Sequence, residues 1–148
     1  MDESKHISNV LELYILAGRT TTPPRQLAKL ANHPNTKIRR RIAENPFTPA
    51  KALRKLAYDE YLETRMAVAC NPASPDDVVD HLVQTDLMVI HGLAQEPKTP
   101  LHLLERLSTD ENPWVSVEAN RTLKIYGKSK PVTQLNDYRR DDNLRPAK

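Results

Sequence analysis

The sequence predicts an all-α fold assembled from stacked copies of a short helical unit, and three observations carry that expectation. The stretch Thr48-Pro49-Ala50-Lys51-Ala52-Leu53-Arg54-Lys55-Leu56-Ala57, with Thr64-Arg65-Met66-Ala67-Val68-Ala69-Cys70-Asn71-Pro72 after it, recurs along the chain. Moved back 26 residues it becomes Thr22-Pro23, Leu27, Leu30-Ala31, Ile38-Arg39, Ile42-Ala43 and Asn45-Pro46. Moved forward 26 it becomes Ser74-Pro75, Val79 and Leu82-Val83, and a fourth start, Thr99-Pro100, follows after 25. Self-similarity at a period of roughly 20 to 50 residues marks an array of supersecondary units. Second, the chain has only 3 glycines, which argues against hairpins, and 12 prolines, several at fixed phase as punctuation between helices. Third, apolar residues fall at three- and four-residue spacing rather than in alternation.

Residues 5–18 are expected to form a first helix, with Ile7, Val10, Leu11, Tyr14 and Ile15 on one stripe and Gly18 as a stop. Residues 1–21 then cap the array, and Lys5, Ser8, Asn9 and Glu12 supply the polar outer face that a terminal unit needs. Repeats occupy residues 22–126, with starts near 22, 48, 74 and 99. Each opens on Thr or Ser followed by Pro, the pattern of an N-cap hydroxyl and a proline at the first helical position. Asp76 and Asp77 add carboxylates to the first turn of the third copy, at the positive end of the helix dipole. The first helix of each unit is short, with Leu27, Leu30 and Ala31, then Leu53, Leu56 and Ala57, on its core stripe.

The second helix of each unit is expected near residues 36–44 and 63–70, with Ile38 and Ile42, then Ala67 and Val68, facing inward. It stops at Asn45-Pro46 and Asn71-Pro72, because proline lacks the N–H of a helical hydrogen bond and holds the preceding residue in extended backbone. Asn45 and Asn71 are assigned a structural role, bonding nearby backbone groups. Helices this short are marginal alone in water, so each must pack on its neighbours. The pattern weakens towards the C-terminus, where Glu96-Pro97 replaces Asn-Pro. Asn112-Pro113-Trp114 then precedes Val115, Val117, Ala119 and Leu123, with Trp114 expected to pack near the end of the stack. Residues 127–148 show no apolar periodicity and are expected to form a charged, disordered tail.

Composition narrows the function classes. At 148 residues, 39% hydrophobic and 28% charged, the chain can bury a core of its own. Cys70 is the single cysteine, so neither an intrachain disulfide nor a multi-cysteine metal site can be built, and a reducing, cytoplasmic location is expected. Asp2 and Glu3 near the start, and Glu12 within the apolar run 10–17, argue against a signal peptide or membrane span. The net charge of +3 conceals a segregation: residues 21–70 carry +6, residues 71–120 carry −7, and residues 121–148 are basic again. Such asymmetry bears on partners rather than on fold.

Written as Thr-Pro, Leu-x-x-Leu-Ala, Ile-Arg or Thr-Arg, Ile-Ala or Val-Ala, and Asn-Pro, the unit resembles the bacterial leucine-rich repeat variant family and is HEAT-like. The likeness covers residues 22–98 well and 99–123 loosely, and it is strongest in Lys37-Ile38-Arg39-Arg40-Arg41-Ile42-Ala43-Glu44-Asn45-Pro46 and from Arg65 to Pro72. The resemblance implies a right-handed solenoid of paired short helices, one of each pair 3₁₀. Some members carry a cysteine-rich iron–sulfur segment, for which Cys70 alone offers no ligand set. HEAT-type units often place an Asp six residues before an Arg in a ladder of ion pairs, and Asp59 with Arg65 has that spacing. His33 before Arg39, Asp110 before Ser116 and Ile90 or His91 in place of a third arginine depart from it, so a ladder over the full length is not expected.

No enzymatic constellation stands out. The histidines His6, His33, His81, His91 and His102 include no pair four apart. Asp76, Asp77, Asp80, His81, Asp86 and His91 could hold a metal, but they equally suit a helix start and a solvated face, so no metal or cofactor is assigned. Gly18, Gly92 and Gly127 are too far apart for a phosphate loop, and no glycine-rich elbow presents a nucleophile. A HEAT-type DNA glycosylase would need a basic groove and stacking aromatics, which the acidic second half and the 5% aromatic content do not favour.

The candidate binding surface is a basic stripe of Arg25, Lys29, Lys37, Arg39, Arg40, Arg41, Lys51, Arg54 and Lys55, which stacking would bring side by side. Its bland counterpart is the solvated face of a few helices. The reading is a non-catalytic adaptor or scaffold that binds another protein through an acidic segment. The alternative is a nucleic-acid binder using the basic first half, and a third is head-to-tail self-association of the basic half on the acidic half.

Overall fold

The computed structural model describes residues 3–129, with side chains from 9 to 126, and among these residues the chain is entirely α-helix, turn and loop. Its elements are α1 (Glu3–Gly18), α2 (Pro24–Leu30), α3 (Thr36–Glu44), α4 (Ala50–Leu56), α5 (Leu62–Cys70), α6 (Asp76–Thr85), α7 (Leu87–Gln95), α8 (Leu101–Leu107) and α9 (Pro113–Ser129). Both helices of each pair are α, where the resemblance implied a 3₁₀ partner. The predicted tail begins inside α9, which continues through Gly127 to Ser129; its remainder, 130–148, lies outside the described residues.

The chain divides into two compact units, Met1–Gly92 and Leu93–Lys148, with the boundary inside α7. In the first, α1, α3 and α5 pack in series, α2 packs on α4, and α2–α3, α3–α4 and α4–α5 contacts join the two rows. In the second, α8 packs on α9. The core is written in register. Ile38, Thr64, Val89 and Val115 are buried at equivalent positions, as are Ile42, Val68, Leu93 and Ala119 one turn later. Ala69 rather than the expected Ala67 completes the α5 face, because the inward stripe advances by four from Thr64 to Val68 and takes the next residue with it. The Thr64 hydroxyl, where α3 has Ile38, is buried with no hydrogen-bond partner among the described residues.

Two features of the chain's punctuation differ from the sequence expectation. The hydroxyls ahead of proline do not cap the helix that follows. Thr22 donates to the carbonyl of Leu16 (2.6 Å), Thr48 to that of Ile42 (2.7 Å) and Ser74 to that of Val68 (2.6 Å), so each closes the end of the preceding helix. The N-caps are the prolines themselves: Pro49, at φ −61° and ψ 143°, accepts the first helical hydrogen bonds from Ala52 and Leu53 through its carbonyl. A proline can sit there because its missing N–H is not needed. Thr99 is buried like Thr22 and Thr48, but its hydroxyl has no partner among the described residues.

The asparagines reach further than nearby backbone. Asn45 is 2% exposed, and its Nδ2 donates to the carbonyls of Ala17 (2.8 Å) and Arg19 (2.9 Å). Asn71 repeats this one unit on, donating to Ala43 (2.7 Å) and to Asn45 itself (2.9 Å). Each Oδ1 accepts the N–H two residues later, from Phe47 and Ala73. In the second unit the two halves of the job are split. Glu96 keeps the local acceptor, bound by the Lys98 N–H at 3.0 Å, and Thr122 keeps the long-range donor, reaching the Ala94 carbonyl at 2.6 Å over the same 28-residue offset as Asn45 to Ala17.

Helix α1 turns a different face inward from the one expected. Ala17 is buried and Val10, Leu13 and Leu16 are half-buried, while Leu11, Tyr14 and Ile15 are 57, 39 and 47% exposed. Apolar residues occur all round this helix, so periodicity alone cannot choose a face; the need of Asn45 for the Ala17 carbonyl can. Lys5 and Ser8, expected on the outer face, lie among residues whose side chains are not described. Trp114 is 76% exposed rather than packed at the end of the array, because it follows Pro113 on the outer side of the first turn of α9, next to the inward Val115.

Replacing Asn71 tests the carboxamide directly. Asn71→Ala leaves two buried carbonyls and the Ala73 N–H unpaired and should cost about 2 to 3 kcal/mol. Asn71→Asp, which keeps the local acceptor but turns an oxygen towards two carbonyls, should be at least as destabilising near neutral pH. Urea unfolding monitored by circular dichroism at 222 nm measures both, and an aspartate variant as stable as the parent would show that the long-range donor contributes nothing.

Candidate functional site

The nine basic residues predicted to form one stripe fall into three groups. Arg39 belongs to the framework. Its side chain is 12% exposed; Nε and Nη2 donate to the Asp59 carboxylate at 2.6 and 3.2 Å, Nη1 donates to the carbonyls of His33 and Pro34, and Nη2 also reaches Glu60. The guanidinium lies 5.6 Å from the centre of the Tyr61 ring. Arg65 repeats the pattern, donating through Nε to Asp86 at 2.7 Å and through Nη1 to the carbonyls of Asp59 and Glu60. The Asp59–Arg65 spacing noted in the sequence therefore produces a bond to the Asp59 backbone, while the Asp59 carboxylate pairs with Arg39, 20 residues earlier.

A helix start repeats alongside these pairs. The N–H two residues on is accepted by Nδ1 of His33, and by Oδ1 of Asp59, Asp86 and Asp110 in the later turns. Asp59 and Asp86 thus serve a turn and an arginine at once. Burial pushes both carboxyls upward, but the guanidinium hydrogen bonds, the backbone N–H groups and the nearby positive charge outweigh it and hold both below the usual carboxylate range. Arg39 is raised in turn, chiefly by its hydrogen bond to Asp59.

The second group is paired at the surface. Arg54 bonds Asp77 through both Nη atoms, Lys55 reaches the Asn32 side chain, and Arg40 and Arg41 share Glu44, at 2.9 Å to Oε1 and 3.2 Å to Oε2. The third group, Arg25, Lys29, Lys37 and Lys51, is exposed and makes no ion pair among the described residues. The predicted stripe is thus interrupted by its own carboxylates.

One concave feature lies among these cations. A groove of about 940 Å³ runs between α1 and α3, lined by Val10, Leu11 and Tyr14 on one side and by Lys37, Arg40, Arg41 and Glu44 on the other, with Asn35 and Ile38. Arg41 crosses the end of α1, its guanidinium 5.6 Å from the Tyr14 ring centre and packed so closely on Gly18 that a methyl there would lie 2.7 Å from Nη2. Its Nε is buried with no hydrogen-bond partner among the described residues. Sequence reading found the cations but missed the apolar wall, since it turned Leu11 and Tyr14 inward, and it gave Glu44 no role. The spacing of Arg40 and Arg41 to Glu44, four and three residues, was the available signal.

The acidic cluster of the sequence is dispersed. Asp77 is held by Arg54 and Asp86 by Arg65, and His81 lies 5.4 Å from the Tyr58 ring and beside Thr85. Among the described residues no group of three or more His, Cys, Asp or Glu is placed to hold a metal ion, and no helix is long and apolar enough to cross a membrane.

Two predictions separate framework from surface. Arg39→Ala removes a partly buried pair and two carbonyl bonds and should cost about 2 to 3 kcal/mol, between a charged hydrogen bond and a fully buried pair. Arg54→Ala should leave the unfolding midpoint unchanged within error, since Arg54 and Asp77 are 51 and 66% exposed. Equal losses in the two variants would refute the division. On the pH axis, carboxyls depressed in the folded state stabilise it above their unfolded value, about 4, and lose that contribution as pH falls through the lower folded value. Stability should therefore decline below about pH 4, and the decline should be shallower in Asp59→Asn, which a pH series of urea melts resolves. Comparison with protein-family models, with curated proteins and with solved structures returned no match to this chain.

Proposed function

We propose that this chain is a non-catalytic adaptor or scaffold, a right-handed solenoid of helical repeats that binds a partner protein in the cytoplasm. One observation carries the reading: the groove between α1 and α3 sets an exposed apolar wall, Leu11 and Tyr14, against three cations, Lys37, Arg40 and Arg41. Apolar area supplies affinity and the charged rim supplies register, the division of labour of protein–protein recognition. The 26-residue recurrence of the asparagine and arginine bonds supports the solenoid, because equivalent side chains meet equivalent backbone in successive units.

The nucleic-acid alternative rests on Arg25, Lys29, Lys37 and Lys51, the cations without a carboxylate partner. About four phosphate contacts give a salt slope of only roughly −3 to −4, too little for tight binding at physiological ionic strength.

Affinity capture from source cells with the parent and with a Lys37→Glu/Arg40→Glu/Arg41→Glu variant, followed by mass spectrometry, tests the adaptor reading. A protein retained by the parent and lost by the variant is expected. A titration of random duplex and single-stranded DNA and RNA near physiological salt is the counter-test: submicromolar binding, lost when Arg25, Lys29 and Lys51 are replaced by Ala, would give the function to nucleic acid.

A further inference from the structure

The chemistry of the groove narrows its occupant, and this inference rests on the adaptor reading above. Arg40 and Arg41 are adjacent in sequence yet converge on one carboxylate, Glu44, which takes Nε of Arg40 on one oxygen and Nη1 of Arg41 on the other. All three side chains are partly exposed, at 54, 41 and 33%, so the bridge lies at the mouth of the groove and not beneath it. Lys37, one turn earlier on the same helix, also lines the groove and makes no ion pair among the described residues. Among the described residues, the groove therefore holds one more cation than its own carboxylate pairs with.

Apart from the exposed Glu63, the side chains beside α3 are apolar. On α1 the wall is Val10, Leu11 and Tyr14. On α5, the positions 26 residues after Lys37, Arg40, Arg41 and Glu44 are Glu63, Met66, Ala67 and Cys70, of which the last three are half-buried. A cationic band on α3 is thus flanked by apolar side chains on the helices packed to either side. A phosphate backbone has no use for such flanks. An amphipathic helix does, when it presents apolar residues at i, i+3, i+4 and i+7 and carboxylates beside them.

We propose that the α1–α3 groove receives an acidic amphipathic helix of a partner protein, and that Glu44 is an internal stand-in for the partner's carboxylate, displaced when the helix docks. Glu44 keeps Arg40 and Arg41 paired in the free protein, and the incoming carboxylate takes over both guanidinium groups. Because each surface pair is weak, the exchange costs little, and the specificity lies in which charge the visitor carries.

The probe is a fluorescein-labelled helical peptide with leucines at i, i+3, i+4 and i+7 and glutamates on the flanking positions, titrated with the full chain by fluorescence anisotropy. Three controls carry glutamine for glutamate, lysine for glutamate and alanine for leucine. The acidic peptide should bind the parent and all three controls should bind at least tenfold more weakly. Glu44→Gln, which releases the arginines without adding a charge, should tighten binding about two- to fivefold, the strength of an exposed ion pair. Arg40→Ala/Arg41→Ala should weaken it about tenfold, with the melting temperature of each variant recorded to exclude unfolding.

Equal binding of the acidic and glutamine peptides, or no tightening in Glu44→Gln, would overturn the proposal. Failure of every peptide to bind, with a captured protein still lost on reversing the groove charges, would reject the acidic helix and leave the adaptor reading standing. A concentration-dependent rise in mass by sedimentation, abolished by those charge reversals with no peptide bound, would overturn it in favour of a second copy of this chain as occupant.

Discussion

An asparagine carboxamide buried between consecutive helical pairs sets the terms for the rest of the first unit. Its two N–H donors face two carbonyls of the unit before, and its oxygen faces the N–H two residues ahead, so each of the amide's polar groups is bonded in a buried site. This arrangement demands close approach of backbone to backbone. The acceptors at the 28-residue offset are Ala17, Ala43 and Ala94, each with 0% exposure, where a larger residue would hold the helices apart. The prolines after Asn45 and Asn71 complete the constraint by forbidding the helix to continue into the space that the side chain needs.

A second set of bonds works at the opposite ends of the same helices. Arg39 and Arg65 each gather two carbonyls from the preceding turn and an aspartate carboxylate from the next pair, with Glu60 as a further acceptor for Arg39, tying three consecutive segments with one planar fork. Arginine suits this because its five donors have fixed directions; lysine would deliver a point charge and leave carbonyls unpaired. The same residue type two positions along, at Arg41, faces a groove and pairs with a single exposed glutamate. Charge counting along a chain treats these as equal, yet one is spent on folding and the other is available for exchange.

That distinction shapes the functional reading. With Arg39 committed to Asp59, and with Asp77 and Glu44 set among the surface cations, the basic half of the molecule is interrupted as a track for phosphates, and the cations that line the groove lie beside apolar side chains. Apolar wall and cationic rim together favour a folded, amphipathic visitor over an extended polyanion. In the binding site we propose, Glu44 has two opposed effects: it holds the arginines in position, which lowers the entropy lost on binding, while competing for them, which lowers affinity.

By itself the sequence determined the helical class, the placement of most helix ends and the core positions of α2, α3 and α4. Those follow from local rules: proline and glycine punctuation, and apolar spacing of three and four. It also marked Asn45, Asn71, Asp59 and Arg65 as structural. The tertiary structure decided which partners they take, because donors and acceptors 20 to 28 residues apart have no local signature. It decided the direction of the Thr-Pro hydroxyls, since a hydroxyl beside proline can serve the helix behind as well as the one ahead, and the carbonyl six residues back, which already takes the Asn45 N–H at the end of α3, has a second lone pair to accept it. It decided the face of α1, where apolar residues all round left periodicity without a preference and the buried carbonyl of Ala17 broke the tie. The groove depended on that choice: turning Ala17 towards Asn45 turned Leu11 and Tyr14 towards the arginines of α3.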